Sequence, residues 1–267
     1  MSNSKIIALA AVVSSALTLQ VARAADLPAP YFKAPPMVEE FGGWYLRGDL
    51  GWSNQEVKSL WNVLYNTSTV TNLSKGFEVG GIFGLGVGYQ FNNWFRIDVT
   101  GEYRSGSTFH GLDRYVGIGF SGTDEYTAIK SELLFLANAY VDLGTWKGVT
   151  PYVGAGVGFS RNTISNFLDV NTPNLGVAFA APASKWNLAW ALHAGIGYKV
   201  TPTFMIDLSY RYVSLGSALT GDLIAWDGTN GTVNPMHFRG LTSHDVRLGV
   251  RWFFDEGFAP PPIVRKG

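Results

Sequence analysis

The 267-residue chain contains no cysteine, which excludes a disulfide-stabilised scaffold, thiolate metal ligands and a cysteine nucleophile. Charge is also scarce: only 15% of the residues are charged, and 20 basic residues balance 20 acidic ones. A formal net charge of zero gives no support for a nucleic-acid partner, because such proteins carry a basic surface. Glycine and aromatic residues are plentiful instead, at 32 glycines and 14% aromatics. This combination is unusual for a soluble enzyme of this length.

Long hydrophobic runs are also missing, except near the N-terminus. Lys5 precedes an apolar stretch over residues 6–19, and Ala22-Arg23-Ala24 follows as a small-residue cleavage motif. These features predict a signal peptide over residues 1–24, cleaved between Ala24 and Ala25. A membrane-anchoring helix is disfavoured, since it needs about 20 apolar residues. We predict a Pro-rich periplasmic linker over residues 25–42 and a short Pro-rich tail over residues 255–267.

Between these segments, residues 43–254 contain eight runs in which every second residue is apolar. In GIFGLGVGYQ, residues 81–90, glycines at 84, 86 and 88 alternate with Phe83, Leu85 and Val87. A period of two indicates a strand, whereas a phosphate-binding glycine loop would lead into a helix. The intervening segments alternate between long (53–76, 105–125, 161–184, 213–242) and short (92–93, 143–150, 200–203). This pattern predicts an all-β fold, an eight-stranded antiparallel up-and-down transmembrane β-barrel with four long extracellular loops and three short periplasmic turns. A weak apolar run at residues 175–180 leaves ten strands as an alternative.

The apolar faces of these runs end in aromatic residues. A soluble β-sandwich or barrel also alternates, but its apolar face points inward and has no reason to sort aromatics by depth. Aromatic belts at both ends of an aliphatic band are typical of a barrel in a bilayer. The residues predicted to form this aromatic girdle are Trp44, Trp52, Phe77, Tyr103, Trp186, Tyr198, Tyr212, Trp252 and Phe254.

The opposite faces of the same runs carry charges of both signs in equal number. We predict that these residues line the lumen and form an ion-pair network, since unpaired charges there would be costly. The glycines on this face would leave room for long charged side chains. Whether the lumen is a packed plug or a narrow pore stays open. The predicted network comprises Arg47, Asp49, Glu78, Arg96, Asp98, Glu102, Arg104, Lys130, Glu132, Asp142, Lys199, Asp207, Arg211, Asp245, Arg247 and Arg251.

The histidines give little sign of chemistry. His244 adjoins Ser243 and Asp245, but neighbours on a strand point to opposite faces, so we predict no catalytic residue. We also predict no metal site and no cofactor. His110 and His237 lie in long connections and are candidate haem contacts, with a solvated loop histidine as the alternative.

Several segments resemble a known family along most of the chain: GGWYLRGDLGW, FRIDVTGEYR, LANAYVDLGTWKGVTPYVGAGVGF and SHDVRLGVRWFF. They are similar to small outer-membrane β-barrel proteins of rhizobia, brucella-type bacteria and related alphaproteobacteria, a porin family with a fold like OmpA and OmpX. The resemblance implies the outer membrane of a Gram-negative bacterium. It also implies a non-enzymatic role in envelope integrity and in surface interaction through the extracellular loops. A narrow porin for small solutes and a haem-binding surface protein are the alternatives.

The resemblance also implies partners. They are outer-membrane lipid and lipopolysaccharide, the barrel-assembly machinery, and a host surface or haem. The chain end matches the insertion signal that this machinery recognises in the family, at Arg247, Gly249, Trp252 and Phe254. Family members usually stop at the final aromatic residue, whereas this chain continues to residue 267.

Overall fold

A computed structural model describes residues 43–254 of the protein. The predicted signal peptide with its cleavage site at Ala24 and Ala25, the predicted linker and the predicted tail lie outside these residues. Within the described part, no helix is both long enough and apolar enough to cross a membrane.

The described residues form eleven strands with two short 3₁₀ turns at Val63–Thr67 and Thr172–Asn174. The strands in chain order are β1 (Gly43–Trp61), β2 (Thr69–Phe77), β3 (Gly80–Gln90), β4 (Phe95–Gly117), β5 (Phe120–Asp142), β6 (Val149–Asn171), β7 (Gly176–Ala180), β8 (Ala183–Lys199), β9 (Phe204–Leu219), β10 (Leu223–Ala225) and β11 (His237–Phe253).

Eight of these strands close into a ring. Strand β1 pairs with both β3 and β11, and β6 pairs with β8, so the antiparallel order β1-β3-β4-β5-β6-β8-β9-β11 returns to its start. The predicted eight-stranded up-and-down barrel is confirmed. The other three strands are not members of the ring: β2 pairs with β4, β7 with β6, and β10 with β7. The weak run at residues 175–180 is thus the short strand β7 and adds nothing to the ring.

The two faces of the ring are the reverse of those in a soluble protein. Outward-facing Leu85 is 75% exposed and Leu50 is 59% exposed, whereas the inward-facing Arg104 and Arg211 are fully buried. Within each strand, inward-facing and outward-facing side chains alternate with the strand period of two. The apolar stripe of each strand therefore lies on the outside, as expected for a barrel that faces lipid.

The strands extend beyond the segments that the sequence pattern had suggested. Strands β4 and β5 form one long hairpin that turns at residues 118 and 119, so residues 105–125 are mostly strand. Strand β6 likewise continues to Asn171. We call the end of the barrel with the connections 91–94, 143–148 and 200–203 the turn end, and the opposite end the loop end.

Irregularities in strand pairing reverse the inward face towards the loop end. In β4 the register shifts between Arg104 and Ser107, so even-numbered residues point inward before the shift and odd-numbered residues after it. Strand β6 makes the same change around Asn166, and β11 around Gly240, both with positive φ. A β-bulge adds one residue to one strand only, which moves every later side chain to the other face.

Candidate functional site

At the turn end, the lumen holds a cation between aromatic rings. The Arg96 guanidinium lies 4.1 Å from the ring centre of Tyr140 and 4.5 Å from that of Tyr152, and its Nε donates to Asp142 at 3.1 Å. Next to it, Arg251 binds Asp207 through two hydrogen bonds of 2.6 and 2.8 Å. Both cations are fully buried, so paired carboxylates and ring faces replace their hydration.

The centre of the lumen is a continuous ion-pair network. Arg211 donates to both carboxylate oxygens of Glu102 at 2.6 Å and to Asp245 at 2.7 Å. Asp245 accepts two further bonds from Arg104, which also pairs with Glu132. Planar guanidinium groups suit this arrangement, because each can bind two oxygen atoms at once.

A second branch of the network lies between this centre and the turn end. Arg47 donates to Asp49 at 2.7 Å and reaches Asp98 at 3.2 Å. The His193 ring lies between Arg247 and Asn138, at 3.2 and 3.1 Å from its two nitrogen atoms. Together the two branches connect side chains from strands β1, β4, β5, β8, β9 and β11.

The structure buries fourteen of the sixteen predicted network residues inside the ring, in a set with equal numbers of both charges. Glu78 was wrongly placed: it lies in the connection between β2 and β3, is exposed, and faces His110 at 3.8 Å. The ring strand β3 begins only at Gly80, so its alternation does not extend to Glu78. Lys199 is half-buried at the turn end. The buried set is Arg47, Arg96, Arg104, Lys130, Arg211, Arg247 and Arg251 with Asp49, Asp98, Glu102, Glu132, Asp142, Asp207 and Asp245.

Tyrosine rings and charged side chains both occupy the space that the lumenal glycines leave. Tyr152 lies directly across from Gly195, and a Cβ added there would be 2.7 Å from the ring carbon Cζ. The same cross-strand pairing joins Tyr45 to Gly88 and Tyr140 to Gly154. A charged group fills such a space at Gly197, where the Arg251 guanidinium lies 2.7 Å from the added Cβ.

Towards the loop end, the lumen becomes apolar. Phe109 and Phe238 meet edge to face at 4.9 Å between ring centres, and Phe167 contacts Phe238 at 6.4 Å. Phe77 packs against the same cluster, 5.0 Å from Phe109. The assignment of Phe77 to the aromatic girdle was therefore wrong. Strand β2 is not a member of the ring, and its last residue, Phe77, pairs with Phe109 of β4 and faces the lumen as Phe109 does. The sequence-based prediction does not include this cluster, although the alternation of apolar residues changes phase near residues 105 and 166.

The other predicted girdle residues lie on the outer surface. Tyr212 is half-buried against Trp190, while the remainder are more than half exposed: Trp44, Trp52, Tyr103, Trp186, Tyr198, Trp252 and Phe254. They lie towards the two ends of the outer apolar band. Of the predicted insertion signal, Trp252 and Phe254 face outward, whereas Arg247 lies in the lumen next to Asp49 and Glu102, and Gly249 faces Asp49.

The two candidate haem ligands have separate partners. His110 is exposed and faces Glu78, while the His237 ring lies 5.2 Å from the Trp61 ring. Partial burial, together with the nearby Arg239 and Lys185, lowers the pKa of His237. Within residues 43–254, no three His, Asp or Glu side chains are grouped so that they could hold a metal ion.

Beyond the apolar cluster, the loop end contains a cavity of about 610 Å³. Asp113, Asp124 and Asp169 meet at its base on neighbouring strands, well past the aromatic residues at this end of the ring. Tyr65 donates to Asp113 at 2.5 Å and Asn171 donates to Asp124 at 2.8 Å. Burial, with the neighbouring carboxylates, raises the pKa of Asp124 to about 6 and that of Asp169 to about 8.

Comparisons with known proteins agree with this architecture. Residues 9–254 match the sequence profile of the family described as outer membrane protein beta-barrel domain. An uncharacterised protein of Brucella suis is 28% identical, over 92% of this chain and 98% of its own length. The outer membrane protein PagN of Salmonella typhimurium is 31% identical, over 79% and 90% respectively. A Rickettsia canadensis protein, whose name proposes that it is an adhesin, is 24% identical over 78% and 87%.

Proposed function

Because the chain belongs to the outer membrane protein beta-barrel domain family, and so lies in a bacterial outer membrane, we propose that it is a non-enzymatic barrel with a closed lumen. In this proposal its loop end contacts another surface. The observation that carries the closed lumen is its division into a charged layer and an apolar layer, both built from buried side chains.

The outer surface fits a bilayer along the middle of the barrel. Aliphatic side chains such as Leu50, Leu85 and Val99 are exposed there, and tryptophan and tyrosine side chains lie towards both ends. Aromatic side chains prefer the two membrane interfaces, and aliphatic side chains prefer the hydrocarbon between them. We therefore assign the membrane-spanning segments to the strands between the two aromatic belts, in contact with lipid and with the lipid part of lipopolysaccharide.

A pore requires a continuous water path through the barrel. The side chains in this lumen support a closed barrel instead. In the charged layer, seven buried cations are matched by seven buried anions, and the cluster around Phe109, Phe167 and Phe238 follows on the loop-end side of this layer. An eight-stranded barrel is just wide enough for its own side chains to fill. The protein reconstituted in a planar lipid bilayer should therefore give no steady conductance. Regular single-channel openings would contradict the closed barrel and favour the porin alternative.

The proposed contact surface is the tip of the β4–β5 hairpin. Val116, Ile118 and Phe120 are exposed around its two-residue turn, and Ile118 is fully exposed. Hydrophobic side chains gathered at a protruding tip are typical of an interaction site. The adhesin name given to the Rickettsia relative supports a surface-contact role in the same family.

Adhesion of bacteria that display the protein to a cultured epithelial monolayer tests this proposal. Changing Val116, Ile118 and Phe120 together to Ser should reduce the number of attached bacteria severalfold while leaving the amount of displayed protein unchanged. Val233→Ser is the matched control, because Val233 is similarly exposed in a different connection. Equal attachment by the triple variant and the wild type would remove the hairpin tip from the proposal.

Three further roles stay predictions. Support of envelope integrity and recognition by the barrel-assembly machinery both follow from the family resemblance. Haem binding has the least structural support, because His110 and His237 have different partners. Titration of the purified barrel with haem, before and after changing both histidines to Ala, tests it directly.

A further inference from the structure

The cavity at the loop end is built from several parts of the chain. The 3₁₀ turn at Val63–Thr67 contributes Tyr65, strands β4 and β5 contribute Tyr115 and Tyr126, and the connection between β10 and β11 contributes Trp226 and Met236. Its volume of about 610 Å³ lies in the range of small-molecule sites. Such sites combine apolar and aromatic walls with polar groups at fixed positions, and half of the residues that line this cavity are apolar or aromatic.

The acidic side chains around this cavity have no basic counterpart among the residues that line it. Asp124 and Asp169 line it and Asp113 lies directly behind, whereas none of its lining residues is Lys, Arg or His. The carboxylates of the central lumen each have a cation beside them, yet among residues 43–254 no ion pair joins these three to any cation. One oxygen of Asp169, Oδ1, is buried and has no hydrogen-bond donor within the described part of the chain.

We propose that this cavity binds an organic cation, a primary ammonium group on an apolar stem, with the ammonium at Asp124 and Asp169 and the stem against the tyrosine and tryptophan rings. A cation supplies the donor that Asp169 Oδ1 lacks and a positive charge beside both carboxylates, and aromatic faces attract cations as well. The opposite ligand, an anion, would meet repulsion without a basic side chain to offset it.

The cation can come from a free amine or from a lysine side chain on a partner protein. Isothermal titration of the purified barrel in zwitterionic lipid nanodiscs, first with 1,6-diaminohexane and then with Nα-acetyl-lysinamide, distinguishes the two sources. Binding of the diamine alone indicates a free amine, and binding of both indicates that a lysine side chain also fits. Either result supports the proposal.

Two matched controls make the assay specific. The uncharged 1,6-hexanediol and the Nζ-acetylated lysine derivative keep the apolar stem but lack the ammonium group. Asp124→Asn should weaken binding about tenfold, the effect of losing one charge-assisted hydrogen bond. Glu125→Gln should leave it unchanged, because Glu125 is the next residue of β5 and is exposed on the outer face.

The dependence on pH gives an independent readout. The groups that face one another here are Asp113, Asp124, Asp169, Tyr65 and Tyr126. Since the pKa values of Asp124 and Asp169 are raised to about 6 and about 8, affinity for the diamine should increase as pH rises from 5 to 8. Equal affinity for diamine and diol, binding of a neutral sugar in place of the diamine, or no binding at pH 8 would each overturn the proposal.

Discussion

The Arg251–Asp207 pair offers a direct test of how the lumen is stabilised. Its two hydrogen bonds measure 2.6 and 2.8 Å, and both side chains are almost completely buried. Removing one partner leaves the other charge buried without compensation, which costs about 3–5 kcal/mol. We therefore expect Arg251→Met and Asp207→Leu each to lower the free energy of unfolding by that amount.

The double variant should behave differently from the sum of the single ones. With both charges gone, apolar side chains of similar volume fill the site, and such replacements of a whole buried pair are often neutral. We expect the double variant to lie within about 2 kcal/mol of the wild type, so that the double-mutant cycle gives a large coupling energy.

Urea unfolding of the barrel refolded in lipid vesicles, followed by tryptophan fluorescence, measures these differences. With an m-value of about 2 kcal/mol/M, a loss of 4 kcal/mol moves the midpoint by about 2 M. Glu78→Gln is the control, because its partner His110 is 3.8 Å away and both side chains are exposed, so the change should stay within about 0.5 kcal/mol. Additive single effects below about 1 kcal/mol would refute the view that this pair is a desolvated charge pair.

Three further predictions concern packing and pH. Gly195→Ala should destabilise the barrel by about 1–3 kcal/mol in the same assay, since its Cβ would meet the Tyr152 ring, whereas Gly76→Ala has open space and should be neutral. Phe238→Ala should cost about 3–5 kcal/mol and speed amide hydrogen exchange at the loop end, and unchanged exchange would contradict the apolar cluster. Asp169 has a raised folded-state pKa of about 8, so its contribution to stability declines as pH rises from about 4 towards 8. Asp169→Asn should therefore slow proteolysis at the loop end at pH 8 but not at pH 4.

The membrane-spanning part of the fold could be predicted from the sequence because its signal is local. Side chains in a strand alternate with a period of two. The pattern within each strand therefore predicts that Leu85 faces outward and that Arg104 faces the lumen. The same alternation predicts that the lumen contains equal numbers of cations and anions. It also explains why His244 bonds outward to Tyr210 while Ser243 and Asp245 bond to each other inside.

The loop end could not be predicted in this way, because its inward face depends on neighbouring strands. A bulge is defined only against the partner strand, and those at residues 105–106, Asn166 and Gly240 transfer the apolar residues beyond them from the outer face to the lumen. That transfer brings Phe109, Phe167 and Phe238 together, and beyond them the carboxylates at the base of the cavity. The sequence by itself thus determined which residues alternate and that the lumenal charges balance, since both depend on neighbours along the chain. Only the tertiary structure decided where the alternation reverses and which side chains meet there, since both depend on strands distant in sequence.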